Sequence, residues 1–269
     1  MPQDLPQDLP VLAVVIPSFR AAATIGTVLA AIGPEVGRIY VVDDGCPDST
    51  GLHVAAHFSD RRITVLHNSR NLGVGGAMKH GYRHALADGA EIIVKLDSDG
   101  QMDPGQILLL IEPILRGEAD YSKGNRLAPI GLMPPGTSVD ALKAMPLVRR
   151  VANRLLSVLH KGATGYWRIG DPANGYTAVH AEALRRMKLD ELADCFFFET
   201  DMLFSLRKIG ATVADVPLPA RYSDEVSNVS LRRVAPRFGI LITVRLAERL
   251  ARGLGARLLT RPLAGTQSN

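Results

Sequence analysis

Residues 91–99 read Glu91-Ile-Ile-Val-Lys-Leu-Asp97-Ser-Asp99, a short apolar run that ends in two carboxylates one residue apart. The β-branched residues and the short length of the run predict a buried strand rather than a helix. Residues two apart in an extended chain point the same way, so Asp97 and Asp99 could face one point. They would do so at the carboxyl end of the strand, where open α/β sheets bind their ligands.

These two carboxylates allow two interpretations. Like charges so close together repel each other unless a cation lies between them, and a hard divalent ion, Mg²⁺ or Mn²⁺, that also holds a diphosphate would fill this role. Alternatively, Asp97 and Asp99 are loop residues that cap a helix beginning near Pro104.

The rest of the chain alternates apolar strands with helical segments, which is typical of a doubly wound, mostly parallel α/β sheet flanked by helices. The predicted strands are 11–16, 38–42, 63–66, 91–96 and 119–124, with a proline-interrupted edge strand at 212–220. The predicted helices are 21–32, 48–58, 77–87, 104–115, 141–160, 181–187 and 196–209. Polar residues at the carboxyl ends of the first four strands predict a single crevice.

Composition and motifs exclude several classes of protein. The two cysteines, Cys46 and Cys195, are far apart in the sequence and show no metal-ligand spacing, which indicates a reducing compartment. No apolar run approaches the roughly 20 residues that span a bilayer. Neither a Walker A motif nor a G-x-G-x-x-G turn after the first strand is present. A nucleotide would therefore be held through a metal rather than by a glycine loop.

Two further acidic pairs are candidates for the site. A carboxylate in Asp43-Asp44-Gly45 could accept hydrogen bonds from uracil or guanine, although Asp-Gly is also an ordinary turn signal. Asp201, with Glu199 as second choice, could be a general base that deprotonates an acceptor hydroxyl. Both acids also lie in the first turns of a predicted helix, where the helix dipole favours negative charge.

Four segments, taken in order, resemble glycosyltransferase family 2, which has the Rossmann-like GT-A fold. The segments are Val-Val-Ile-Pro17-Ser-Phe19, Val-Val-Asp43-Asp44-Gly-Cys-Pro-Asp48-Ser-Thr, Asn68-Ser-Arg-Asn71-Leu-Gly73 and Leu-Asp97-Ser98-Asp99-Gly-Gln101. The resemblance covers about residues 11–225. It is closest to the branch of dolichyl-phosphate mannose synthases and polyprenyl-phosphate glycosyltransferases, on the evidence of Gln101, Gly124-Asn125-Arg126, Asn174-Gly175-Tyr176-Thr177, Phe198-Glu199-Thr-Asp201 and Arg221-Tyr222.

The resemblance implies a set of site residues and a cofactor. Pro17 and Phe19 would hold the base, and Asp43 or Asp44 would recognise it. The other residues of the implied nucleotide-sugar site are Asn71, Gly73, Asp97, Ser98, Asp99 and Gln101, with Asp97 and Asp99 as ligands of Mg²⁺ or Mn²⁺. Gln101 and Arg126 would contact donor or acceptor phosphates, and Arg221 would close over them.

The C-terminal stretch is strongly basic. Residues 231–261 contain eight arginines and a single acid, Glu248, with Arg245, Arg249 and Arg252 on one predicted helix face. A basic amphipathic helix of this kind is typical of an anionic membrane surface. A helix packed on the enzyme's own core, or in a homo-oligomer contact, remains an alternative. Nucleic acid is disfavoured because aromatic residues do not alternate with the arginines.

Together these observations predict one domain with two halves and two extensions. Residues 1–10 would be a disordered tail, 11–126 the nucleotide-sugar-binding half, 127–228 an α+β acceptor-side half, and 229–269 a basic amphipathic helix and tail. We expect a cytoplasmic protein, peripheral on the inner face of the membrane.

The expected activity is that of a metal-dependent inverting hexosyltransferase. It would use a UDP- or GDP-linked sugar and a polyprenyl-phosphate or membrane-linked glycan acceptor. A saccharide hydroxyl acceptor in cell-surface polysaccharide synthesis, a nucleotidyltransferase and a non-catalytic nucleotide-sugar-binding module remain alternatives.

Overall fold

The computed structural model of the chain describes residues 10–135, 137, 157–158, 160–219, 242–248 and 251. In this part of the chain, seven strands form one sheet in the order β3-β2-β1-β4-β6-β5-β7. The strands are β1 (Leu12–Ser18), β2 (Arg38–Asp43), β3 (Ile63–His67), β4 (Ile92–Lys95), β5 (Tyr121–Asn125), β6 (Thr177–His180) and β7 (Val213–Pro217).

Helices follow most of the strands. They are α1 (Ile25–Ala30), α2 (Thr50–His57), α3 (Val74–Ala87), α4 (Ile107–Leu115), α5 (Ala181–Arg186) and α6 (Phe198–Lys208). A 3₁₀ turn, Pro104–Gln106, leads into α4, and its N-cap is Asp103, whose carboxylate accepts a hydrogen bond from the Gly105 amide. Because Asp103 caps this turn, the alternative of Asp97 and Asp99 as its caps is wrong.

The sheet is mostly parallel, as predicted. The pairs β1–β2, β1–β4, β2–β3 and β5–β7 are parallel, whereas β6 runs antiparallel between β4 and β5. Strand β6 is absent from the sequence prediction, which left residues 177–180 unassigned. It comes from the second half of the sequence but joins two strands of the first half, so the described parts of both halves share one sheet.

Two prolines fit the sheet in different ways. Pro17 was expected to end the first strand, but β1 continues through it to Ser18. The proline is tolerated because the pairing of β4 with β1 stops at Val15. Pro217 ends β7, which lies at the edge of the described sheet, as predicted for a proline-interrupted strand.

Apolar side chains on both faces of the sheet form two core layers. One layer packs α3, α5 and α6 against the sheet, and the other packs α1, α2 and α4 against its opposite face. This three-layer arrangement leaves the carboxyl ends of β1, β2 and β4 at one edge, where the predicted site residues follow. The expected disordered tail and most of the predicted 141–160 helix lie outside the described residues.

Candidate functional site

The first part of the candidate site is the end of β1. Pro17 is half-buried, and Phe19 just beyond the strand is 42% exposed, with the Arg20 guanidinium 5.4 Å from the centre of its ring. An exposed aromatic ring next to a strand end offers a flat surface on which a nucleobase can stack. Phe19 stays the predicted base-holding side chain.

Both acids at the carboxyl end of β2 are buried and hydrogen-bonded to the main chain. Asp43 accepts from the amides of Cys46 at 2.8 Å and Gly51 at 2.7 Å. Asp44 accepts from the amides of Leu72 at 2.9 Å and Gly73 at 2.8 Å. These bonds fix the carboxylates in place, and they also show that each acid has a structural role in its own loop.

Asn71 and Gly73 lie in the loop that Asp44 organises. The Asn71 side-chain oxygen accepts from the Gly73 amide at 2.9 Å. Gly73 has a φ of +84°, and a Cβ there would lie 2.5 Å from the carbonyl oxygen of Asp194, so glycine is required. The Gly75 amide donates to the same carbonyl oxygen at 2.8 Å. The main chain of the segment before α6 therefore packs against the start of α3 and accepts a hydrogen bond from it.

The Asp97–Asp99 pair lies at the carboxyl end of β4, as the sequence predicts. Asp99 accepts from the Gln101 amide at 2.9 Å, which folds the chain into a tight turn. The carbonyl oxygen of Ser98 accepts a 2.7 Å hydrogen bond from the Thr24 hydroxyl, which ties this turn to the loop before α1. Asp97, Ser98, Asp99 and Gln101 are all partly exposed at this edge of the sheet.

The residues present fit a divalent metal ion. Two partly exposed aspartates just beyond the end of a strand offer the hard oxygen ligands that Mg²⁺ and Mn²⁺ prefer. Within the described ranges, no group of three or more His, Cys, Asp or Glu side chains is gathered as a metal site. Asp97 and Asp99 stay the predicted ligands.

Lys95, which is not among the residues expected from the sequence, lies between Asp97 and Glu199 in the candidate site. Its ammonium is 2.5 Å from Asp97 Oδ1 and 3.1 Å from Glu199 Oε1. Burial alone would lower the pKa of Lys95, but the two carboxylates outweigh burial and raise that pKa above its usual value. The sequence did contain a signal for this residue: a lysine inside an apolar strand. It lies two residues before Asp97 and is therefore on the same face of the chain.

A second buried lysine, Lys123 on β5, is also new. Thr177 on β6 pairs with Lys95 on one side and with Lys123 on the other, so the three residues form one row across the sheet. The Lys123 ammonium donates to the carbonyl oxygen of Asn174. Burial lowers the pKa of Lys123 to about 8, although the nearby Glu199 and Asp171 act in the opposite direction.

The predicted phosphate-binding arginine, Arg126, follows β5. Its guanidinium makes two hydrogen bonds to the buried Asp171 carboxylate, at 2.7 and 3.2 Å. Beside it, the side-chain amide of Asn125 donates a 2.6 Å hydrogen bond to the Asp215 carboxylate. Burial raises the pKa of Asp215. Arg126 is thus held rigidly at the strand end, while Arg221 lies outside the described residues and stays a prediction.

The candidate base Asp201 has partners that compete with such a role. It is buried, its two oxygens accept from Arg245 at 2.9 and 3.2 Å, and Oδ2 also accepts from the Ala193 amide at 3.0 Å. A base must present a lone pair to the incoming hydroxyl. This geometry argues against the expectation that Asp201 is the preferred base. Glu199, the second choice, is on the Lys95 side of α6.

Arg245 belongs to the basic C-terminal stretch, of which residues 242–248 are described and helical. Ile242 from this segment packs with Ala163, Phe197 and Phe204. The segment therefore packs on the protein's own core, one of the alternatives to binding at a membrane surface. Val244 and Leu246 on the same segment are 47% and 37% exposed. In the part of the chain that is described, no helix has the length and apolarity to cross a bilayer.

Comparisons with known proteins identify the family and the fold of the chain. The sequence model of the family described as glycosyl transferase family 2 matches residues 13–184. The chain is 28% identical over 208 residues to the undecaprenyl-phosphate mannosyltransferase of Micrococcus luteus, covering 76% of this chain and 81% of that protein. It is 26% identical over 211 residues to the polyprenol monophosphomannose synthase of Mycolicibacterium smegmatis, covering 76% of this chain and 75% of that protein.

Among solved structures, the chain resembles glucosyl-3-phosphoglycerate synthase from Mycobacterium tuberculosis, crystallised with Mn²⁺, UDP and glucosyl-3-phosphoglycerate. The TM-score is 0.60 at 20% sequence identity, and the match covers 89% of this chain and 80% of that one. At this level of identity the likeness concerns the fold, which is that of the GT-A glycosyltransferases.

Proposed function

The chain belongs to glycosyl transferase family 2, and from that premise we propose that it transfers a hexose from a UDP- or GDP-linked sugar to a polyprenyl phosphate. It is a glycosyltransferase, which sets aside a non-catalytic binding module. Two relatives match most of the chain. One is named as an undecaprenyl-phosphate mannosyltransferase and the other as a polyprenol monophosphomannose synthase.

The proposal of a phosphate acceptor is carried by one observation: both candidate bases, Glu199 and Asp201, are ion-paired. Glu199 is ion-paired with Lys95, and both oxygens of Asp201 are used by Arg245. A sugar hydroxyl has to lose its proton during attack and needs a base. A phosphate is already ionised at neutral pH and needs none, so a site whose acids are ion-paired suits a phosphate acceptor.

In the proposed reaction, the acceptor phosphate attacks the anomeric carbon from the face opposite the departing nucleoside diphosphate. Asp97 and Asp99 would hold Mg²⁺ or Mn²⁺, which when bound offsets the charge that develops on the diphosphate. Phe19 would stack on the base, and Asp43 or Asp44 would select it. Arg126 would bind phosphate oxygens, with Arg221 as second cation.

We further propose that the enzyme works as a peripheral protein at the membrane surface. Val244 and Leu246 are exposed on the helical segment 242–248, beside a chain that is rich in arginine. Apolar and cationic side chains on one surface favour binding to anionic lipids. This location would bring the site to the lipid acceptor.

A saccharide hydroxyl is the second candidate acceptor. It would require Glu199 to leave Lys95 and act as base. The Glu199→Gln variant separates the two acceptors, because transfer to a phosphate should continue while transfer to a hydroxyl should be lost.

The first test is the thermal stability of the full chain with UDP, GDP, CDP or ADP, each with and without Mn²⁺. A diphosphate at 100 times its Kd should add about 2.7 kcal/mol, which raises the Tm by roughly 5–10 °C in a chain of this size. We expect a metal-dependent shift with UDP or GDP that is lost in Asp99→Asn. Asp103→Asn is the matched control, because asparagine also caps helices. No shift with any diphosphate would contradict the donor site.

A further inference from the structure

A buried ion pair joins the donor and acceptor sides of the candidate site. Lys95 on β4 is fully buried, and its ammonium contacts Asp97 at 2.5 Å and Glu199 on α6 at 3.1 Å. Its third contact is the carbonyl oxygen of Gly175 at 3.4 Å. One fixed cation therefore binds a predicted metal ligand and an acid from the other half of the sequence.

The surrounding chain is shaped around this ion pair. A Cβ on Gly175 would lie 2.5 Å from Lys95 Nζ and 2.7 Å from Asp97 Oδ2, so the space that a side chain would fill belongs to the pair. Removing one partner of a buried ion pair is strongly destabilising because the other charge is left uncompensated. Lys95 is thus confined to the position where it touches Asp97.

The position of this ammonium has a consequence for a metal ion. Lys95 and a divalent cation would act on the same Asp97 carboxylate, and the two positive charges repel each other. Asp97 and Glu199 share the one ammonium, so these three side chains together carry a net negative charge. A nucleoside diphosphate brings the additional negative charge that a divalent ion needs beside a lysine.

We propose that Lys95 is a positioning residue that holds Asp97 and Glu199 as their resident counter-ion and thereby makes metal binding depend on the nucleoside diphosphate. This inference rests on the proposed role of Asp97 and Asp99 as metal ligands. It assigns to Lys95 two effects: it orients Asp97, and it weakens binding of the metal ion alone.

The test is Mn²⁺ binding measured by electron paramagnetic resonance on the full chain, with and without UDP or GDP. The wild-type protein should bind Mn²⁺ at least about tenfold more weakly alone than with the preferred diphosphate. In Lys95→Met, Mn²⁺ alone should bind about tenfold more tightly. The substitution removes the repulsion between the lysine charge and a metal ion on the same carboxylate, and this repulsion changes affinity by about that factor even at the dielectric constant of water. The dependence on diphosphate should shrink accordingly.

The matched control is Lys79→Met. Lys79, on α3 rather than β4, is also nearly buried and is ion-paired with Asp194 at 2.5 Å. Its loss should lower stability without changing Mn²⁺ affinity. A second variant, Lys95→Met/Glu199→Gln, removes one positive and one negative charge and should bring Mn²⁺ affinity back toward the wild-type value. It also leaves fewer unpaired buried charges if the single variant does not fold.

Three outcomes would overturn the inference. Wild-type protein that binds Mn²⁺ equally well with and without diphosphate contradicts it, as does Lys95→Met with the Mn²⁺ affinity of Lys79→Met. These two results leave the proposed metal site intact. If the wild-type protein binds no Mn²⁺ even with a diphosphate, the metal site of the proposed function fails and the inference fails with it.

Discussion

Asp201→Asn should loosen the C-terminal helical segment from α6 while leaving transfer to a phosphate acceptor in place. The Asp201 carboxylate accepts two hydrogen bonds from Arg245 and one from the Ala193 amide. Asparagine keeps one acceptor oxygen but removes the charge. The variant therefore separates a structural role for Asp201 from the role of a base.

The magnitude follows from the burial of the two partners. The Asp201 side chain is 4% exposed and that of Arg245 is 20% exposed. Breaking a fully buried pair costs about 3–5 kcal/mol, and exposed pairs contribute about 0–1 kcal/mol. Arg245 also keeps Glu248 at 3.0 Å, so we expect an intermediate loss of about 2 kcal/mol. In a chain of this size the Tm should fall by about 4–8 °C.

The assay is denaturant unfolding of a double-mutant cycle made of Asp201→Asn, Arg245→Gln and both together. The double variant should be little less stable than either single variant, with a coupling energy of at least about 1 kcal/mol. Glu182→Gln, in the exposed pair with Arg185 at 3.6 Å, is the control and should be nearly neutral. Additive losses, or unchanged stability combined with lost transfer, would refute this reasoning.

Three further predictions concern Gly175, Lys123 and the C-terminal segment. Gly175→Ala should cost about 1–3 kcal/mol of stability by overpacking and weaken binding of the nucleoside diphosphate in calorimetry, whereas Gly131→Ala, with nothing within 4 Å of its Cβ, should do neither. Because burial lowers the folded-state pKa of Lys123 to about 8, the unfolded chain binds more protons between about pH 8 and 10.4. Stability to denaturant should therefore rise with pH across that window in the wild-type protein relative to Lys123→Met, and parallel pH profiles would contradict the buried, partly neutral lysine. Val244→Asp with Leu246→Asp should reduce sedimentation with phosphatidylglycerol vesicles several-fold, while equal sedimentation would exclude this segment as the membrane contact.

The sequence predicted those features that depend on local pattern. Alternating strands and helices gave the three-layer fold, because apolar period and turn residues are encoded within a few positions. Strand-end polarity likewise placed Asp97 and Asp99 at one edge of the sheet. The Asp103-Pro104 pair also predicts the N-cap before α4, which the structure confirms, whereas the metal role of Asp97 and Asp99 stays a prediction.

Features that depend on distant contacts could not be predicted. Strand β6 has only four residues and is held by neighbours on both sides. The partners of Lys95 and Asp201 come from α6 and the C-terminal segment, and Asp201 is 44 positions from Arg245 in the sequence. A candidate base was therefore chosen from local helix position alone, and its ion pair emerged only in three dimensions.

The most direct test of the central claim is transfer of radiolabelled hexose from UDP- and GDP-linked donors, with Mn²⁺ or Mg²⁺, to undecaprenyl phosphate in detergent. The account predicts a lipid-soluble, acid-labile product with one of the two nucleotides. Its formation should depend on Asp97 and Asp99 and be unaffected by Asp103→Asn. Label found only on a saccharide acceptor, release of pyrophosphate from a nucleoside triphosphate, or lipid product that persists in Asp97→Asn and Asp99→Asn would contradict it.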